Sequence, residues 1–175
     1  MINSIKCIGL LLILALLLVL LILCIYSRNY MTTDRAVRRF SNHIERGNIN
    51  NITLTIYYRD ARTTFHFPQS VDDFVGRRMY ESIIVVTGVE LSEHKELLQN
   101  INADNLVPVT YEVPMLVMLY YEFAFNGRRL FGVVPLPRDY DSRILINGIE
   151  YEWDSAFFNI IKPFLPENSP WRLVE

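Results

Sequence analysis

The chain has 175 residues, 51% of them apolar and 21% charged, with a formal net charge of −2. Residues 1–26 hold 22 of the apolar residues and a single charge, Lys6; the remaining 149 are about 45% apolar, the share of an ordinary water-soluble domain. These figures exclude collagen-like, disordered and multi-spanning chains and leave one domain's length beyond a hydrophobic segment.

From Cys7 to Tyr26 no side chain is charged or strongly polar. As a helix, at about 1.5 Å per residue, this stretch is roughly 30 Å long and matches the hydrocarbon core of a bilayer. A cleaved signal has a shorter apolar core and small residues at its cleavage site, whereas Ile25, Tyr26 and Ser27 end the run here. A lipoprotein would need a small residue where Leu23 precedes Cys24. The expected organisation is therefore a tail at 1–6, a transmembrane anchor in the lipid bilayer at 7–26, a tether at 27–33 and a single α+β domain at 34–175. Arg28, Arg35, Arg38 and Arg39 come after the span and only Lys6 precedes it, so the positive-inside count favours an inner domain. A short basic tail before an N-terminal span is instead the layout of a signal anchor that exports the chain beyond it, and the domain is expected to be extracytoplasmic. Cys7 and Cys24 both lie in the span, roughly 25 Å apart along a helix, so the domain itself has no thiol chemistry.

In chain order, Val37, Phe40 and Ile44 recur at helical spacing, with Thr33 as a cap, Asp34 at the positive helix end and Gly47 as the stop. Residues 52–58 alternate, placing Ile52, Leu54, Ile56 and Tyr58 on one face and Thr53, Thr55 and Tyr57 on the other, and 63–67 (TTFHF) continues as a second strand. Ser70 three residues before Asp73 starts a short helix. Residues 81–90 contain a β-branched run that reads as a buried strand. After it comes a helix with Leu91, Leu97, Leu98 and Ile101 inward.

Asn126-Gly127 and Asn147-Gly148 each separate apolar runs, and Asn-Gly favours a two-residue type I′ hairpin because both positions accept positive φ. Counting outward from the second turn pairs Ile146 with Ile149, Leu145 with Glu150, Ile144 with Tyr151 and Arg143 with Glu152. One face then carries Ile144, Ile146, Ile149, Tyr151 and Trp153, and Arg143, Glu150 and Glu152 fall on the other, solvent-side face. The first hairpin, 115–125 with 128–136, is apolar on both faces except at Glu122 and reads as a central pair of strands. A last short helix starts at Asp154 or Ser155 and ends at Pro163. The fold class expected is α+β: a twisted antiparallel sheet of five to seven strands packed by three or four helices.

The runs RRFSNHIERGNINNITLTIYY, SVDDFV and FFNIIKPFLPE resemble small exported or membrane-anchored proteins of Gram-positive bacteria. The order of helix, glycine and strand meander also resembles the cystatin-like and nuclear-transport-factor-like α+β layouts. Neither resemblance brings a catalytic motif onto positions of this chain.

The sequence holds no G-x-S-x-G, G-x-G-x-x-G, phosphate-loop or H-E-x-x-H pattern. His43, His66 and His94 lie in different elements, the first and last of them expected on helix surfaces. His66, flanked by Phe65 and Phe67, is the one candidate general base, and needs a carboxylate or hydroxyl brought to it by the fold. Asp139 and Asp141 are the candidates for a hard cation, but lack the glycine and terminal glutamate of a calcium loop; a charged outer strand that protects a sheet edge accounts for this acidic stretch better. Past the span, 16 basic residues face 19 acidic ones, so no domain-wide basic field for nucleic acid exists. Arg28, Arg35, Arg38 and Arg39 are close enough to the span to contact anionic lipid headgroups. Tyr57, Tyr58, Tyr111, Tyr120 and Tyr121 fall on strands, where exposed members would form a binding face. The functional expectation is a non-catalytic binding domain with a protein partner at the cell envelope and no cofactor, the alternatives being a hydrolase using His66 or an immunity or regulatory protein at the inner membrane face.

Overall fold

The computed structural model describes residues 14–20, 32–59, 70–109, 117–136 and 142–173. Residues pack into two units, 1–32 and 33–175. In the first, 14–20 is helical and its leucines are exposed. The other residues of the expected span lie outside the described ones, and among the described residues no helix is long and apolar enough to cross a membrane.

The second unit is an α+β domain around one six-stranded antiparallel sheet. Helix α1 (32–45) leads through a short 3-10 turn, Asn48–Asn51, to β1 (Ile52–Tyr58), α2 (Val71–Gly76) and β2 (Ser82–Val86). Helices α3 (Gly88–Glu93) and α4 (Lys95–Gln99) come next, then β3 (Leu119–Phe125), β4 (Arg128–Leu136), β5 (Arg143–Ile146), β6 (Ile149–Glu152) and α5 (Ser155–Asn159). The sheet order is β2-β1-β3-β4-β5-β6. Both Asn-Gly turns have positive φ at both residues (49° and 72°, then 50° and 85°), and β5–β6 pairs in the register counted from the sequence. The strand expected at 63–67 lies outside the described residues.

The central hairpin β3–β4 is buried on both faces, as its two-sided apolar pattern requires. On one face, Phe40 of α1 meets Phe123 and Phe131 at 4.5 and 5.5 Å between ring centres, and Phe157 of α5 lies 6.5 Å from Phe131. Tyr121 donates from its hydroxyl to the Phe157 carbonyl, tying α5 to β3. On the other face, Phe74 of α2 packs with Val117, Tyr120, Val134, Leu136 and Leu145. Pro135, which has no N–H to give a ladder, falls where pairing of β4 with β3 has ended at Val133.

Five local expectations change. Thr33 lies inside α1 and is buried rather than capping it. The strand at 82–86 is an edge strand, with Ile83 and Val85 47% and 57% exposed, because among the described residues only β1 pairs with it. The helix after it is broken at His94 into α3 and α4. Arg143 and Glu150 are only 4% and 7% exposed and bond each other at 3.3 Å. Their face is covered because α2 packs there, and β6 is not a charged edge, since Val109 N–H and Glu152 N–H donate to the Glu150 and Val107 carbonyls across its outer side. Finally, α5 ends at Asn159, before Pro163, which enters a separate 3-10 turn, Lys162–Phe164.

The start of α3 sits against the turn before β1. A Cβ on Gly88 would meet the Ile49 carbonyl oxygen at 2.3 Å and Asn50 Cα at 2.4 Å. Gly88→Ala is expected to cost about 3 kcal/mol or more through backbone displacement, against about 1 kcal/mol for Gly127→Ala, which has positive φ but open space around it. Urea unfolding followed by tryptophan fluorescence compares them; equal losses would show that α3 does not press on this turn.

Candidate functional site

Between α2 and the β5–β6 turn the sheet carries a pocket of about 410 Å³. Its floor is Tyr120, Gly132, Val134 and Leu145; Ser70, Val71 and Asp72 form one wall, and Arg129, Asn147 and Gly148 the other. Strand alternation gives most of this floor. Val134 stands opposite Leu145 and Gly132 opposite Glu122, all on the face covered by α2.

Arg129 reaches the pocket through an irregularity. The β3–β4 register slips between Phe123 and Ala124, so Ala124 faces Arg129 and not Leu130. This bulge turns the Arg129 side chain to the Tyr120 side of the sheet. There its guanidinium lies 5.9 Å from the Tyr120 ring centre, Nε is 3.5 Å from Glu122 Oε2, and Nη2 donates to Asn147 Oδ1 at 3.4 Å. Asn147 Oδ1 also accepts from Gly132 N–H at 3.1 Å. The second Asn-Gly turn thus both reverses the chain and fixes the arginine. Tyr120 donates to Glu122 at 2.9 Å, and burial pushes its phenol well above the ordinary value of 10.0. Its ring lies across Gly132 so closely that a Cβ there would sit 2.2 Å from the hydroxyl oxygen. Two groups keep capacity: Arg129 Nη1 has no partner among the described residues, and neither has the exposed Asp72 carboxylate.

A second concavity, of about 300 Å³, lies along the outer side of α1 and is lined by Arg35, Arg38, Arg39, Asn42, His43 and Arg46. The buried positions Val37, Phe40 and Ile44 set the helix rotation and leave 35, 39, 42 and 46 as a stripe on the opposite side. Arg38 is held by carboxylates, with Nε 3.0 Å from Asp34 and Nη2 2.6 Å from Asp104. Arg35, Arg39 and Arg46 form no ion pair among the described residues. His43 stacks on Phe125 of β3 at 3.7 Å, and its Nδ1 is buried with no hydrogen-bond partner. Burial first, then the charges of Arg46 and Arg39, hold its imidazole below the ordinary 6.5.

Of the residues singled out from the sequence, Arg35, Arg38 and Arg39 share this groove, whereas Arg28, His66, Asp139, Asp141 and Tyr111 lie outside the described residues. His43 and His94 are half-buried rather than surface residues; His94 sits edge-on to Phe164 at 5.0 Å. Tyr120 reaches a pocket, and Tyr121 is in the core. Sequence reasoning missed Arg129 and Asn147 as neighbours of Tyr120. The Asn-Gly turn was readable, but the bulge that aims the arginine leaves no local signal. Among the described residues no group of His, Cys, Asp and Glu is placed to hold a metal ion. No protein family, curated protein or solved structure matches the chain.

The His43 environment has a pH consequence. Because its folded value is depressed, the unfolded chain takes up a proton below about pH 6.5 that the folded chain refuses. Stability is therefore expected to fall as pH drops through that window. His43→Phe, which keeps a ring against Phe125, should flatten this part of the profile, read as urea midpoints between about pH 5 and 7.5; an unchanged slope would show that His43 is not the group responsible.

Proposed function

We propose that the chain is a single-pass, membrane-tethered binding protein whose α+β domain takes an amphiphilic ligand on the α2 side of its sheet. The observation that carries this reading is the pocket over Tyr120 and Gly132, where Arg129 is held by a ring, a carboxylate and an amide and keeps Nη1 without a partner among the described residues. A positioned guanidinium at the rim of an apolar floor suits a ligand with an acceptor group at Arg129 and an apolar body along Val71, Val134 and Leu145. The tether rests on the apolar run at 7–26, and the signal-anchor layout favours a domain outside the cytoplasm. A second orientation is favoured by the exposed Arg35 and Arg39 close behind the run in sequence, which count toward an inner domain.

Two measurements test this. Glu96 on α4 is exposed; in a variant with Cys7 and Cys24 replaced by serine, Glu96→Cys should react with a membrane-impermeant maleimide in intact cells. Protection until lysis would establish the inner orientation. Octanoate should move the Gly132 amide resonance while octylammonium does not, and Arg129→Gln should weaken octanoate about tenfold, the worth of one charge-assisted hydrogen bond. Equal responses to both amphiphiles would remove Arg129 from the reading.

A further inference from the structure

The arginine groove on α1 lies on the side of the sheet opposite the pocket, since Phe40 of α1 packs on Phe123 and Phe131 while Phe74 of α2 packs on Tyr120. Three of its arginines have no carboxylate partner among the described residues, although Arg38 beside them recruits two. They repeat along one helix stripe over three turns and line a concavity rather than a convex ridge. At the groove wall an imidazole is stacked flat on Phe125 with a buried, unpartnered Nδ1. Concentrated guanidinium donors with no internal anion, closed on one side by a ring that gains a donor when protonated, make a receptor for oxyanions with several acceptor oxygens.

We propose that Arg35, Arg39 and Arg46, with His43, bind a phosphate-bearing ligand, and that Arg38 serves chiefly to fasten α1 to the Ala103–Asn105 turn through Asp104. Guanidinium forks match phosphoryl oxygens bidentately, and the spread of the three arginines suits a group carrying more than one phosphate or several single phosphates side by side. The same chemistry is offered by a soluble diphosphate and by the headgroups of an anionic membrane. An anion in the groove offsets the Arg39 and Arg46 charges that act on His43, while the Phe125 ring of β3 stacks on its other side. Occupancy therefore raises the His43 titration midpoint, and by linkage the ligand binds more tightly as pH falls through it.

The full-length chain in phosphatidylcholine nanodiscs provides the test, with the His43 ring followed by NMR across pH. Inorganic pyrophosphate is the soluble probe, and discs containing phosphatidylglycerol are the lipid probe. An upward move of the His43 midpoint with pyrophosphate identifies a soluble phosphate ligand, and a move only in phosphatidylglycerol discs identifies the headgroup. Arg39→Gln and Arg46→Gln should each weaken the responding probe about tenfold, whereas Arg77→Gln, which removes the same charge just past the end of α2, should change it less than about twofold. All three positions are exposed, and retained ring-current shifts from the His43–Phe125 stack report that the fold is intact. The proposal is overturned if neither probe moves His43, if Arg77→Gln weakens binding as much as the groove variants do, or if phosphatidylcholine discs charged to the same extent with oleate act as strongly as phosphatidylglycerol.

Discussion

Two-sided burial of the β3–β4 hairpin is the constraint on which the rest of the domain depends. A strand whose alternate side chains are Leu119, Tyr121 and Phe123 on one side and Tyr120 and Glu122 on the other cannot rest against solvent on either. Strands β1 and β4 must flank it to satisfy its backbone, and helices must cover both faces. Helices α1 and α5 close one face with Phe40 and Phe157, and α2 closes the other with Phe74. Strand β2 is left at an edge, where its apolar run is only partly covered.

That arrangement decides where polar chemistry can stand. The face under α2 carries Glu122, Arg129, Arg143 and Glu150. Arg143 and Glu150 are almost fully enclosed and bond each other at 3.3 Å across β5 and β6. Their pairing belongs to the sheet's construction. Arg129 and Glu122 are different: both are partly solvated, the contacts Arg129 makes to Glu122 and Asn147 are longer than ordinary hydrogen bonds, and the arginine borders open volume. Solvent screening makes their mutual attraction small, which leaves the guanidinium available.

Features governed by neighbours in sequence were legible in it. Positive φ at Asn147 and Gly148 follows from the residue types, and the register of Ile146 with Ile149 follows from the turn. Ser70 caps α2 by accepting from Asp73 N–H, a contact three residues long. Features governed by distant neighbours were not. The buried state of Arg143 depends on α2, and the exposure of Val85 depends on nothing pairing beyond β2 among the described residues. The bulge beside Leu130 depends on how β3 and β4 twist together. For the candidate sites this divides sharply: the arginine stripe was visible as helical spacing, but the release of Arg38 from it required Asp104, sixty-six residues away.

In helix α1 the residues that hold the domain and the arginine stripe lie on opposite sides. Its stability comes from Val37, Phe40 and Ile44, all essentially inaccessible, and from Ser41 donating to the Ile101 carbonyl at 2.8 Å. None of these contacts involves Arg35, Arg39 or Arg46. Placed at i, i+4 and i+11, the arginines repel rather than assist; a like-charged i, i+4 pair costs a helix about 0.2–0.5 kcal/mol. Arg35 also sits near the positive end of the helix dipole, where a cation is disfavoured. Asp34 in the first turn offsets that end but is engaged by Arg38. Neutral residues at 35 and 39 would remove that repulsion, so within the helix these two charges act against it, whereas Arg46, just past the helix end at residue 45, meets the negative end of the dipole and is favoured there.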